Sequence, residues 1–553
     1  MASHRRTAGF FILLGICCVS AFGFSPSLMA QGDGMRMASH SRVGAVPEEI
    51  LDRPVPLRTG IGKIHENVST SSKQAQEFYD QGLAYLQSYV WIEAARSFHE
   101  ALRHDPQLAM AYVGLSYAYS PMDYQAAEAA LSRAQSLAAK VTDRERRRIE
   151  IRSLQLRAMA DPGKLERELA FRDALDDALA TYPDDVVFLL LRGTAAEPSP
   201  FADGQGCEDG GAQYYERVLA LDPNNFAAHH FLTHCFENSG HVREALPHAM
   251  AYADLAPDVP HAQHMCGHVL RRVGQMEEAI GRFRRADDLE RAYFREEKIP
   301  PSLDWHYAHN LSLLGSSYQY LGEMRSAEKY FHEASIVPAY TDYDAFNRKD
   351  WAEFLLNRKR YAEALAAARV MTQGPSPLAR AAGHALEGDA LLCMNRAAEA
   401  KAELEQANRI VKAIAPDEAA TLRPYVDGLS AGLMLKAGKK LPAEELLRTV
   451  VQRIRAANGP DAWTQGLFQM EFLCAVARRE NDWPLVDQLA QAMNERAPDY
   501  AGSHYELGIS AQHSKDSDAA AREFSSAAKL WAEADPDLPE LAEVHRALAT
   551  SSR

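Results

Sequence analysis

Two short stretches, "HHFLTHCFE" (229–237) and "HAQHMCGH" (261–268), each carry a His-x-x-x-His pair, His230/His234 and His264/His268. The pairs stand 34 residues apart, histidine for histidine. Four residues on a helix return a side chain to the same face, with Cβ atoms roughly 5–6 Å apart. Helices packed side by side lie about 8–10 Å apart, a gap that imidazoles from both can bridge to one cation at about 2.0–2.1 Å from each nitrogen. Imidazole is a borderline nitrogen donor, so the set suits zinc, copper or iron rather than calcium or magnesium. Glu237 shares a face with His234 and is a further ligand or a catalytic base. Ten of the twenty histidines lie between 229 and 309. The other reading is plainer: such histidines can hydrogen-bond a bound peptide or face water.

The interval of 34 is itself a signal. From Ala75, the stretch "AQEFYDQGLAYLQSYVWIEAARSFHEALRHDP" places Gly82, Tyr85, Ala94, Phe98, Ala101 and Pro106 at repeat positions 8, 11, 20, 24, 27 and 32. The frame recurs from Phe226 (Gly240, Ala245, Pro257), from Pro260 (Gly267, Gly274, Ala279, Phe283, Ala286) and from Ala308 (Gly322, Ala327, Phe331, Ala334). This resembles the tetratricopeptide repeat, a pair of antiparallel helices with small residues at the crossings and aromatics in the gaps.

The resemblance implies an all-α fold, a right-handed superhelix (α-solenoid) on the order of ten helix pairs, each packing mainly on its neighbours. It also implies that positions 2, 5, 9 and 12 of each first helix face a concave groove that binds a protein or peptide. In that frame His230, His234 and Glu237 take positions 5, 9 and 12. His261, His264 and His268 take positions 2, 5 and 9 of the next repeat, and His309 takes position 2 of the third. The candidate metal set is therefore His230, His234, His264, His268, Glu237, His261 and His309. His229 falls at packing position 4 and reads as a partly buried imidazole. His241 and His248 read as solvated, and His306 precedes the frame and approaches from a loop.

From 74 to 340 the chain also resembles exported bacterial tetratricopeptide proteins of poorly defined role. "FYDQGLAYLQSYVWIEAARSFHEAL", "LDPNNFAAHHFLTHCFE", "PHAQHMCGHVLRRVGQMEEAI" and "HYAHNLSLL" carry the likeness. Cys266 replaces that group's proline, and Ser312 stands where it has a second histidine, so the third repeat offers His309 without a pair. The resemblance supplies no activity.

Composition sets the remaining limits. Of 553 residues, 47% are hydrophobic and 24% charged, enough for a large core. Residues 1–30 combine Arg5 and Arg6, the apolar run "FFILLGICCVSAFGF" and small residues before Ala30, the pattern of a secretory signal peptide. The other reading is an uncleaved anchor, for which the run is short. The expectation is an exported, periplasmic or secreted protein with no membrane span after cleavage. Cleavage would move the net charge from −15 to −17, which disfavours nucleic acid as a partner. Residues 31–72 read as a flexible leader, 73–340 as the repeat array with the histidine-rich groove, and 341–553 as a degenerate array. Cys235 and Cys266 read as buried thiols, with a mutual disulfide or metal ligation as alternatives. No phosphate loop, nucleophile elbow or helical zinc-protease motif is visible. Two functions fit: a partner-binding solenoid that also holds a transition metal, or a metalloenzyme of oxidative or hydrolytic type.

Overall fold

The computed structural model describes residues 46–197, 206, 210–457 and 460–551. The signal segment, the first part of the leader and Cys207 lie outside the described residues. Helices follow one another in antiparallel pairs, Lys73–Leu86 with Trp91–His104, Pro260–Arg272 with Met276–Glu297, and Tyr307–Leu321 with Met324–Ile336. The described residues contain helices and no strand.

The spacing of 16 residues between repeat positions 8 and 24 has a direct steric cause. A Cβ on Gly82 would come within 2.5 Å of the Phe98 ring, one on Gly267 within 2.6 Å of Phe283, and one on Gly315 within 2.7 Å of Phe331. Gly508 and Phe524 repeat the contact at 2.6 Å near the C-terminal end. Each phenyl fills the notch its glycine leaves, which sets the depth at which the paired helices cross. Ala94, Ala279 and Ala327, at position 20, are fully buried in the same crossings.

Residues 46–72 correct the expected flexible leader. Val46, Ile50, Leu51, Val55 and Ile61 are buried, and a short helix spans Glu48–Leu51. The segment runs as a strap across the first repeats. Glu66 is enclosed with Arg144, at 2.8 Å, and Arg148, and Tyr79 donates to its Oε2 at 2.5 Å. Further along the strap, Asp258 N donates to Gly60 O at 2.8 Å, and Arg96 reaches the carbonyls of Arg53 and Pro54. The polar and Pro/Gly content that suggests disorder is here the means of attachment.

The C-terminal array folds back on the third histidine-bearing repeat. Tyr320 packs on Trp463 and Tyr500 at ring-centroid distances of 5.5 and 5.0 Å. Arg325 pairs with Asp537 at 2.7 Å, and Asp535 N donates to Gly322 O at 3.2 Å. Ser312 and Ser316, at positions 5 and 9, are consequently buried. Along helix Tyr307–Leu321 the expected peptide groove is occupied by the chain's own helices Pro460–Arg479 and Ala501–His513. No described helix is long and apolar enough to cross a membrane.

The same array buries carboxyl groups. Burial pushes Glu353 and Glu506 up to about 8 and Glu471 up to about 7. A carboxyl whose folded-state pKa is raised binds more protons folded than unfolded, so stability falls as pH rises from its ordinary value to the raised one. Glu353→Gln should therefore raise the thermal midpoint at pH 9, where the parent carries a buried charge, and change it little at pH 5. Calorimetry at the two pH values checks this, and an equal effect at both contradicts it.

Candidate metal centre

The first cluster is built by two adjacent first helices. Asn225 caps helix Phe226–Asn238 by accepting from Ala228 N at 3.1 Å, and Pro260 opens helix Pro260–Arg272. These starts fix the rotation that brings positions 5 and 9 of one helix against position 2 of the next. The Nε2 atoms of His230, His234 and His261 lie 3.1, 3.3 and 3.0 Å apart pairwise. An ion about 2.0–2.1 Å from each corner of such a triangle sits about 1 Å out of its plane. His261, placed in the groove by its repeat position alone, completes the set begun by the His230/His234 pair.

Three neutral imidazoles cannot satisfy three mutual contacts. His230 Nδ1 is 2.7 Å from the carbonyl of Gln87 and donates to it, which leaves Nε2 as a bare acceptor. His234 and His261 can each donate to that atom only by turning two N–H groups toward one another. A cation at the centre removes the conflict.

The second cluster repeats the construction one unit on. His264 Nε2 and His268 Nε2 are 2.8 Å apart, and His309, again from position 2, brings a ring nitrogen within 4.8 Å of both. His264 Nδ1 donates to Asn310 Oδ1 at 3.0 Å, while Asn310 Nδ2 is held by Phe283 O at 3.0 Å. His268 Nδ1 lies 3.4 Å from Glu237 Oε1. The Asn310 oxygen on His264 Nδ1 fixes the tautomer and ring angle that ligation by His264 requires.

Glu237, expected beside His234 as a ligand or base, acts on His234 by its charge and also lies against the next helix. It stands outside the ligand-distance clusters, against His268 Nδ1 and 3.7 Å from Arg272 Nη1, fully buried. His306 exceeds its expectation. Its ring lies 5.1 Å from His261 and 4.0 Å from His264, between the clusters, and its Nδ1 donates to Glu290 Oε1 at 2.6 Å.

Burial holds these rings in the ligating form. It pushes His234 down to about 4, and His230, His261, His264 and His306 well below the ordinary histidine value, with neighbouring imidazoles adding to the effect. All five are neutral at pH 7, with lone pairs available.

Tyr89 roofs the first cluster, its ring centroid 4.6, 5.9 and 5.3 Å from those of His230, His234 and His261. It occupies the left-handed turn position filled by Gly240, Gly274 and Gly322 in other repeats, at φ 58°. A non-glycine residue there costs about 1–2 kcal/mol. Trp305 Nε1 braces that turn by donating to Tyr89 O at 3.1 Å.

Other residues lie apart. His229 and His248 face one another, Nδ1 to Nδ1 at 2.9 Å, so His248 is half-buried rather than solvated. Cys235 is disulfide-bonded and Cys266 is a free buried thiol, so they do not pair with each other, and the buried-thiol reading of Cys235 is corrected. Burial pushes the Cys266 thiol up to about 11, which makes it a poor ligand.

No family model matches the chain, and no curated protein matches it. Solved structures do. The crystal structure of YrrB, described as a TPR protein with an unusual peptide-binding site, aligns at 16% identity over 36% of this chain and 93% of its own, TM-score 0.27. A tetratricopeptide repeat protein from Parabacteroides merdae aligns at 13% identity over 50% and 97%, TM-score 0.35. Human IFIT1 with m7Gppp-AAAA aligns at 11% identity over 87% and 99%, TM-score 0.42. The chain's own helix pairs, with Gly82, Gly267, Gly315 and Gly508 each closed by a phenyl 16 residues on, decide the architecture. It is an α-solenoid of antiparallel helix pairs in a 34-residue frame. Within that repeat, both histidine clusters follow one rule: positions 5 and 9 of one unit and position 2 of the next.

Asn310 is the side chain through which one residue ties the second cluster to the repeat behind it. Asn310→Ala should lower the stability of the metal-free protein by about 1–3 kcal/mol, because His264 Nδ1 and Phe283 O lose a buried partner. Urea unfolding measures it; no change contradicts the anchoring role.

Proposed function

We propose that this tetratricopeptide solenoid is an exported metalloprotein that holds transition metal ions in its two histidine clusters. The single observation that carries the reading is the His230/His234/His261 triangle of buried, neutral Nε2 atoms, 3.0–3.3 Å apart. The all-nitrogen donor set fits zinc, copper or iron. His264, His268 and His309 form the second site, and Glu237 is read as the carboxylate that orients His268. Export rests on Arg5, Arg6 and the apolar run after them. A protein or peptide partner is proposed from the repeat architecture, on the groove surface that the C-terminal helices leave uncovered.

A second reading, a metalloenzyme, is favoured by a specific observation. A cavity of about 530 Å³ is lined by His261 and His306 beside the clusters. A metal there would polarise water or exchange electrons with dioxygen, the basis for hydrolytic or oxidative chemistry.

Tag-free protein, stripped of metal and titrated with zinc and copper at pH 7.5, should take up at least one tight equivalent. The His230→Ala/His261→Ala double variant should lose that equivalent, with affinity weakened more than about 100-fold. Absence of stoichiometric uptake of both zinc and copper by the parent overturns the reading.

A further inference from the structure

The cavity lies between the strap, which contributes Leu57 and Ile61, and the inserted segment before helix Tyr307–Leu321, which contributes Leu303 and Trp305. Its volume of about 530 Å³ is that of a small-molecule site rather than an ion site. Two of its walls are indoles, with the Trp91 and Trp305 rings 5.3 Å apart between centroids, and Tyr89 and Tyr293 extend the aromatic lining.

The polar atoms at its inner end are hydrogen-bond acceptors without a donor. Glu290 is 1% exposed and lines the cavity, and its Oε2 has no hydrogen-bond partner among the described residues. His306 gives its Nδ1–H to Glu290 Oε1, so its Nε2 is an acceptor, and that atom is equally buried and unpartnered. Buried acceptors in this state call for a ligand that brings N–H groups.

Charge points the same way. Arg58, a cation lining the cavity, is engaged by Glu297 at 2.5 Å. Glu93 is matched by Arg96 at 2.5 Å and Asp258 by Arg285 at 2.9 Å. Glu290 takes the His306 N–H, with Arg291 acting on it at longer range, and Asp304 takes the backbone N–H groups of His306 and Tyr307. Aromatic faces beside two carboxyl groups that form no ion pair with Lys or Arg among the described residues attract an organic cation and repel a carboxylate.

We propose that this cavity is the binding site of an aromatic amine, its ring against the wall made by the Trp91 and Trp305 indoles and its ammonium group on Glu290 and His306, beside the His230/His234/His261 site. The placement beside a metal rests on the metalloprotein reading; binding of the amine does not. Glu290, Asp304 and His306 bring ligand atoms within 4.8 Å of one another, so a metal ion is the rival occupant, although it leaves the aromatic walls without a role.

The test uses full-length protein stripped with EDTA and two isosteric probes, 2-phenylethylamine and 3-phenylpropionate, by calorimetry and tryptophan fluorescence. The amine should bind with a dissociation constant below about 1 mM and the acid at least tenfold more weakly. Glu290→Gln and Trp91→Ala, each confirmed folded by circular dichroism, should each weaken the amine at least tenfold. Equal binding of amine and acid, no amine binding, or undiminished binding to Glu290→Gln overturns the proposal, and the probe comparison decides it even where a variant fails to fold. Amine binding abolished by EDTA and restored by zinc alone assigns the inner end to a metal and also overturns it. In copper-loaded protein the amine's proton resonances should broaden, and in zinc-loaded protein they should not. Amine binding without copper broadening supports the cavity and counts against the metal reading instead.

Discussion

The structure depends on the fit of one phenyl ring into the notch of one glycine, repeated along the chain. Gly267 accepts Phe283, and Gly315 accepts Phe331, at the same place in successive helix pairs. Where it recurs, the contact sets how the paired helices cross; in the pair that starts at Phe226 the same two places hold Thr233 and Ala249, both fully buried. Two turns of one helix then meet the first turn of its neighbour at a constant geometry. Histidine at positions 5 and 9, followed by histidine at position 2, converts that packing register into a three-nitrogen site. The construction is made twice, with His230, His234 and His261 and then with His264, His268 and His309.

Holding many imidazoles together without charge is the second constraint. Water exclusion by the Tyr89 ring, and by Trp305 and Phe283 around the rings, keeps the histidines neutral. Oxygens behind three of them set which nitrogen faces inward: Gln87 O for His230, Asn310 for His264 and Glu290 for His306. The result is a set of lone pairs converging in a dry volume, an arrangement that is frustrated alone and relieved by a cation.

Much of this was legible in the sequence, because it is written as a period. The glycine, alanine and phenylalanine spacing announces the helix pairs, and the frame places His261 and His309 on the same face as the two His-x-x-x-His pairs. What was not legible is set by contacts without period. His306 stands outside the frame, and the oxygen on His230 is a backbone carbonyl 143 residues away. Glu237 reads as a partner of His234 from one helix alone, but the neighbouring helix brings His268 Nδ1 within 3.4 Å of it as well. The segment 46–72 reads as polar and flexible because its attachments, Glu66 to Arg144 and Arg148, are long-range charge pairs. Closure of the groove by Trp463 and Tyr500 is likewise invisible until distant repeats meet.

The central claim is that helix packing alone aims His230, His234 and His261 at one point. Anomalous diffraction from crystals of the copper- or zinc-loaded protein, collected at the metal edge, tests it most directly. The account predicts a peak about 2.0–2.1 Å from all three Nε2 atoms. A metal-loaded crystal with no peak in that triangle, or with those rings turned away from a common centre, contradicts it.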